Sequence, residues 1–235
     1  MNRVQPMKSS VERGSTLEYL TVYPDGYAEA KPYPLIVVLH GFGANKDDLC
    51  DLAPLIDPDN YIYVLPDAPL APADAPTLRA WYERGGKESP AAVREALAAL
   101  DGFVKEVIAR FRVPAGRTML AGFSQGGAMS LRYGLPRPVL FAGIAVLSGS
   151  LRQLDDLTPT LPAERTQPIF VTHGRHDTMV PFEWSKDLVA YLEAQGYRPT
   201  YRTYPIDHEI SPALVRDLRD WLRQVLPATP RASRA

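Results

Sequence analysis

Thr118-Met-Leu-Ala-Gly-Phe-Ser-Gln-Gly-Gly-Ala-Met-Ser-Leu-Arg-Tyr133 is the stretch on which the fold turns. Its first part, Thr118 to Gly122, is a short apolar run of strand length. Its last part, Gly127 to Tyr133, reads as a helix. Between them stands one serine, Ser124, with glycines at 122 and 126. A strand that passes through so few residues into a helix must turn sharply, and glycine is the residue that tolerates such a turn.

The same rhythm continues outward in both directions. Leu35-Ile-Val-Val-Leu39 is a continuous apolar run bounded by Pro34 and His40-Gly41, the pattern of a buried parallel strand. Tyr61 to Leu65, Gly143 to Leu147 and Ile169 to His173 repeat it. Thr200 to Tyr204 is more polar and suits a place near an edge. Leu17 to Tyr23 suits an antiparallel strand at the start. Helical patterns lie between the runs. Ser89-Pro90 supplies an N-cap and a proline at the first helical position. Val93, Leu97, Leu100, Val104, Val107 and Phe111 then form one stripe. Glu183 to Gln195 carries Trp184, Leu188, Tyr191 and Leu192, with Gly196 placed to end it. Ser211-Pro212 opens a last helix with Leu214, Leu218, Trp221, Leu222 and Val225 on its face. This alternation predicts a single α/β domain over 1–235, its mostly parallel central sheet covered by helices on both faces. Pro66 to Glu88 breaks the rhythm with four prolines, and its Trp81 and Tyr82 imply that it folds over something.

Composition narrows the function classes. A formal net charge of −1 over 235 residues favours neither nucleic acid nor an anionic membrane as partner. No apolar run approaches the ~20 residues of a membrane span. One cysteine, Cys50, excludes an intrachain disulfide and suits a cytoplasmic location. No activating motif surrounds it, so it reads as a small apolar residue on a helix. Residues 1–12 read as a polar arm, a partner contact or disordered, and 227–235 as a frayed tail.

Gly122-Phe-Ser-Gln-Gly126 matches G-x-S-x-G, in which a serine on a strained strand-to-helix turn exposes its hydroxyl. A serine hydroxyl needs a base to become a nucleophile. The four histidines are His40, His173, His176 and His208. The order serine, acid, histidine leaves the last three. His208 lies in the loop after the last strand, where such sites are built. His173 ends a strand and reads as a packed structural histidine. His176 competes, but it is adjacent to Asp177, and neighbouring side chains diverge. Asp177 follows a buried strand and is the candidate acid, with a capping or turn aspartate as its ordinary reading. Asp207 and Glu209 are set aside because they adjoin His208. The developing oxyanion requires N–H donors. Gln125, the residue after the serine, supplies one. Phe42, in His40-Gly-Phe-Gly43, supplies the other, and its ring could line a pocket. No metal-ligand spacing is present.

Taken together, these motifs resemble the phospholipase/carboxylesterase family of α/β-hydrolases, which includes bacterial carboxylesterases and acyl-protein thioesterases. The resemblance rests on His40 to Gly43, Arg79-Ala-Trp-Tyr82, Gly122 to Gly127, Leu147-Ser-Gly149, Gly174 through Asp177 to Pro181, and His208 to Ser211. It implies the α/β-hydrolase fold and cleavage of acyl esters or thioesters without a cofactor. It also implies Ser124, Asp177 and His208 as catalytic triad, and Phe42 and Gln125 as oxyanion donors. Trp81, Met179 and Val180 fall in segments that line the family's acyl pocket; each could instead be plain core packing. Trp81-Tyr82-Glu83 departs from the more usual Trp-Phe-Asp or Trp-Tyr-Asp, which leaves acyl length open. The expected partner is a small acyl ester, with a homodimer possible, as members often form one. A serine carboxylesterase is the resulting expectation. Its rivals are an acyl-protein thioesterase or lysophospholipase, then a peptidase or a non-catalytic binding module.

Overall fold

The computed structural model describes residues 7–71, 75–83, 89–151 and 153–229. In chain order the strands are β1 (Ser9–Arg13), β2 (Glu18–Val22), β3 (Leu35–Leu39), β4 (Ile62–Pro66), β5 (Thr118–Phe123), β6 (Phe141–Leu147), β7 (Ile169–Gly174) and β8 (Thr200–Tyr204). The helices are α1 (Leu52–Ile56), α2 (Pro90–Arg110), α3 (Gln125–Gly134), α4 (Phe182–Ala194) and α5 (Pro212–Val225), with a 3-10 turn over Leu154–Thr160.

All strands join one sheet in the order β1-β2-β4-β3-β5-β6-β7-β8. β1 and β2 run antiparallel, as do β2 and β4; the remaining pairs are parallel. The polar β8 is an edge strand, as its composition implies. Every residue of β3 is buried, because helices cover both faces of the sheet. One layer packs α1 and α5 on the sheet, with Phe170 stacked on Trp221 at 5.2 Å. The other packs α2, with Leu100, Phe103, Val104 and Val107 buried, and a third cluster lies beneath α4.

Caps follow the sequence. The Ser89 and Ser211 hydroxyls accept hydrogen bonds from the N–H groups of Ala92 and Leu214. Gly196 adopts φ +91° beyond α4, and the Tyr197 N–H reaches back to the Leu192 carbonyl.

Three expectations are corrected. Half of the N-terminal arm is ordered structure, since Ser9 to Arg13 pair residue by residue with β2; residues 1–6 lie outside the described residues. Cys50 sits on the turn before α1 rather than on a helix. The tail is anchored at its start, where the Arg117 guanidinium donates to the Pro227 carbonyl at 2.8 Å; residues 230–235 lie outside the described residues. Of the Pro66–Glu88 segment, 72–74 and 84–88 also lie outside them.

Candidate active site

β5 delivers Ser124 at the head of α3. The serine holds φ +55°, ψ −117°, a left-handed conformation costly for a residue with a side chain. Its backbone is pinned on both sides. The Ser124 N–H donates to the Leu147 carbonyl at 2.8 Å, and its own carbonyl accepts from Gly127 and Ala128. The flanking glycines are required by space. A Cβ on Gly122 would overlap the Gly126 carbonyl, and a Cβ on Gly126 would overlap the Leu39 carbonyl. A Cβ on Gly41 would lie 3.2 Å from the Ser124 Cβ, so the His40–Gly43 loop runs directly beside the serine.

Asp177 and His208 meet across two loops. His208 Nδ1 lies 2.7 Å from Asp177 Oδ2, and the aspartate side chain is fully buried. Asp177 Oδ1 accepts from the N–H groups of Met179 and Val180 at 2.9 and 2.8 Å. A carboxylate partner at Nδ1 puts the ring proton there and leaves Nε2 as the free acceptor. The His208 ring packs 4.7 Å from that of Phe123, the residue before Ser124.

The neighbouring candidates take other places. His176 is exposed on the same loop as Asp177, and its backbone N–H is used by the Ile206 carbonyl. His173 is fully buried, with Nε2 3.0 Å from the Val180 carbonyl and 3.3 Å from Asp177 Oδ2. Burial lowers its pKa. His40 Nδ1 faces the Gly41 carbonyl at 2.7 Å, and Nε2 accepts from the Ala68 N–H at 3.0 Å. This arrangement fits the neutral ring, and burial again lowers the pKa. Asp207 braces both loops. Its carboxylate accepts from the Thr178 N–H and hydroxyl and from the His208 N–H, and those donors lower its pKa.

Gln125 also acts through its side chain. As the first residue of α3, its N–H has no acceptor within the helix. Its side chain is buried and faces the other way. Oε1 accepts from the Trp81 N–H at 2.9 Å, and Nε2 donates to the Tyr82 carbonyl at 2.8 Å. The Trp81 indole N–H donates to the His40 carbonyl at 3.0 Å. Trp81 and Tyr82 are thereby tied to the elbow and the His40 loop. Trp81 is wholly enclosed in the core, so it supports the site from beneath. Val180 is half-buried, whereas Met179, Phe42 and Leu78 keep 50%, 39% and 37% of their surface exposed. Cys50 has its pKa raised by burial and by Asp51 and Asp47, so nothing activates the thiol.

The protein has clear relatives. A family model described as Phospholipase/Carboxylesterase matches residues 27–226. The acyl-protein thioesterase 1 of Mycosarcoma maydis is 29% identical, over 91% of this chain and 99% of its own length. Carboxylesterase SOBER1 of Arabidopsis thaliana is 27% identical over 81% of this chain and 90% of its own. The crystal structure of SOBER1 superimposes with a TM-score of 0.73 at 25% identity, covering 83% of this chain and 99% of that one. No helix among the described residues is long and apolar enough to cross a membrane. The sheet, the serine elbow at the end of β5 and the match over most of the chain converge: this protein belongs to the phospholipase/carboxylesterase family of α/β-hydrolases, a family of ester-cleaving enzymes.

Proposed function

We propose that the protein is a serine carboxylesterase that hydrolyses small acyl esters through Ser124, His208 and Asp177. The observation that carries this reading is the 2.7 Å contact between Asp177 and His208, whose ring packs on Phe123, the residue before a serine held at φ +55°. His208 Nε2 takes the Ser124 proton as Oγ bonds to the acyl carbon. The N–H groups of Phe42 and Gln125 hold the carbonyl oxygen as it becomes negative. The C–O bond to the alcohol then breaks, and His208 returns the proton to the leaving oxygen. Water, deprotonated by the same nitrogen, attacks the acyl-enzyme and releases the acid and the free serine. Exposed Phe42, Leu78 and Met179 offer apolar surface to the acyl chain.

Acyl-protein thioesterase or lysophospholipase activity is the second reading, favoured by the relative named acyl-protein thioesterase 1. Hydrolysis of p-nitrophenyl esters from short to long acyl chain, with Ser124→Ala as control, tests both. Serine-dependent turnover that falls with chain length supports the carboxylesterase. A rise toward long chains favours the second reading. Near-normal turnover by Ser124→Ala overturns the assignment. A chain that hydrolyses no ester leaves peptidase and binding-module readings, which a covalent serine probe separates.

A further inference from the structure

The cleft at the other end of the sheet has no part in this chemistry. About 380 Å³ in size, it lies where Ile62 begins β4 and where α2 ends, whereas Ser124 follows the far end of β5. Four cationic side chains line it, Lys8, Lys31, Arg110 and Arg112, against one carboxylate, Glu29. A second cleft of about 560 Å³ shares Glu29, Lys31, Phe111 and Arg112 and continues it over the surface.

Three features distinguish this cleft from an ordinary charged surface. First, the cations come from three places in the chain, and among the described residues only Arg110 has its charge met by a carboxylate, that of Glu12. Lys8, Lys31 and Arg112 have no carboxylate in ion-pair range among the described residues. A helix C-terminus accounts for Arg110 and Arg112, but not for the two lysines, which precede β1 and β3. Second, three aromatic rings line it, Tyr23, Tyr27 and Phe111, and they belong to a longer stack. Phe111 packs edge-on to Tyr23, Tyr23 lies 4.7 Å from Tyr27, and Tyr27 lies 5.4 Å from Tyr33. Lys31 is held 4.6 Å above the Tyr33 ring and Arg110 5.1 Å from that of Phe111, so the charges are fixed beside flat apolar surface. Third, Arg112 adopts φ +52° just beyond α2, a position where glycine is the usual residue. An arginine kept in a strained conformation at the lip of a cleft points to a role for its guanidinium.

We propose that this cleft binds a small organic anion bearing an aromatic ring, the ring against Tyr27 and the anionic group between Lys31 and Arg112. A phosphate or a carboxylate both meet this description. Isothermal titration calorimetry on the full chain, with adenosine 5′-monophosphate, benzoate, adenosine and inorganic phosphate as probes, decides it. The expected result is that one of the two ring anions binds at least about tenfold more tightly than adenosine and phosphate, and its identity gives the anionic group. Arg112→Gly removes the cation and relaxes the backbone, so it keeps the fold. It should weaken ring-anion binding about tenfold or more while ester hydrolysis is unchanged. Tyr27→Ala should bring ring-anion binding down to that of the ringless anion. Ring anions that bind no better than phosphate or adenosine, or equal binding by Arg112→Gly, would overturn the proposal. Neither outcome bears on Ser124.

Discussion

His173 Nε2 lies 3.3 Å from the same Asp177 oxygen that His208 Nδ1 contacts at 2.7 Å. One carboxylate oxygen thus sits between two rings, one partly exposed and packed on Phe123, the other fully enclosed. The enclosed ring also faces the Val180 carbonyl at 3.0 Å, which requires a proton on that nitrogen. His173 is therefore a positioning residue that limits where the Asp177 carboxylate can rest. His173→Phe keeps the bulk and removes the donor. It should lower kcat by roughly tenfold, the order found for partners one step from the reacting groups, with KM little changed. His173→Gln should recover part of the loss; equal kcat in all three proteins would remove the role.

The same burial makes stability depend on pH. His40 and His173 have pKa values below the ordinary 6.5 because desolvation disfavours their charged forms. The unfolded chain then binds more protons than the fold once pH drops below about 6.5. The contribution of each ring is whole above that pH and is lost as pH falls from 6.5 toward the lower folded value. Urea midpoints measured from pH 8 down to pH 5 should decline on the acid side. The decline should be shallower in His40→Gln and His173→Gln, and an identical slope would refute the assignment.

Gly126→Ala should not yield a folded protein. Its Cβ would lie 2.6 Å from the His40 carbonyl and overlap that of Leu39, and both are backbone atoms that cannot step aside. The expected cost exceeds about 4 kcal/mol, at the extreme of single substitutions. Soluble yield and thermal unfolding measure it; a Tm near wild type would contradict the packing described.

Gln125→Leu removes the acceptor of the buried Trp81 N–H and the amide that donates to the Tyr82 carbonyl. Leaving a buried donor such as the Trp81 N–H without its acceptor costs about 1–3 kcal/mol. The backbone N–H of residue 125 survives the change, so some turnover should remain while the 75–83 segment loosens. Hydrogen exchange at Trp81 should accelerate; unchanged protection would show that the side chain is not the tether.

Asp207→Ala removes the acceptor that joins Thr178 to His208. The two loops also touch through main chain, because Gly174 leaves no Cβ between itself and the Ile206 and Asp207 carbonyls. The variant should therefore fold but hold His208 less accurately, with kcat/KM down by roughly tenfold, where a 1 Å misplacement costs up to about 10²-fold. Wild-type kcat/KM would assign the bracing to the main chain alone.

The central strands were legible because burial on both faces forces unbroken apolar runs, as in Leu35–Leu39. The capping serines at 89 and 211 were legible for a local reason, each acting on a donor three residues ahead. β1 was not, because its pairing is satisfied by polar chemistry. Glu12 accepts hydroxyls from Ser10, Tyr19, Thr21 and Tyr23, so no apolar alternation marks the strand. α1 has five residues with a proline among them, too few to show a period. The stripe on α2 follows from helical spacing, but the buried face is centred one residue to the side and includes Ala96 and Phe103, because the sheet and not the sequence decides which of two adjacent stripes faces inward. At the site, residue types and chain order sufficed to propose which histidine faces Asp177. The part played by the Gln125 side chain depends on a segment of distant sequence, and nothing local announces it.

Gln125 has a consequence for how such an enzyme can change. Its amide recognises the covering segment only through main-chain groups, the N–H of residue 81 and the carbonyl of residue 82. Side chains elsewhere in that segment are not consulted by the anchor. Exposed positions such as Leu78 can thus be rewritten, lengthened or charged while the serine turn and the Asp177–His208 pair stay fixed on β5, β7 and the loop after β8. The cover is thus tied to the serine turn in a way that leaves its exposed side chains free to vary without disturbing that tie.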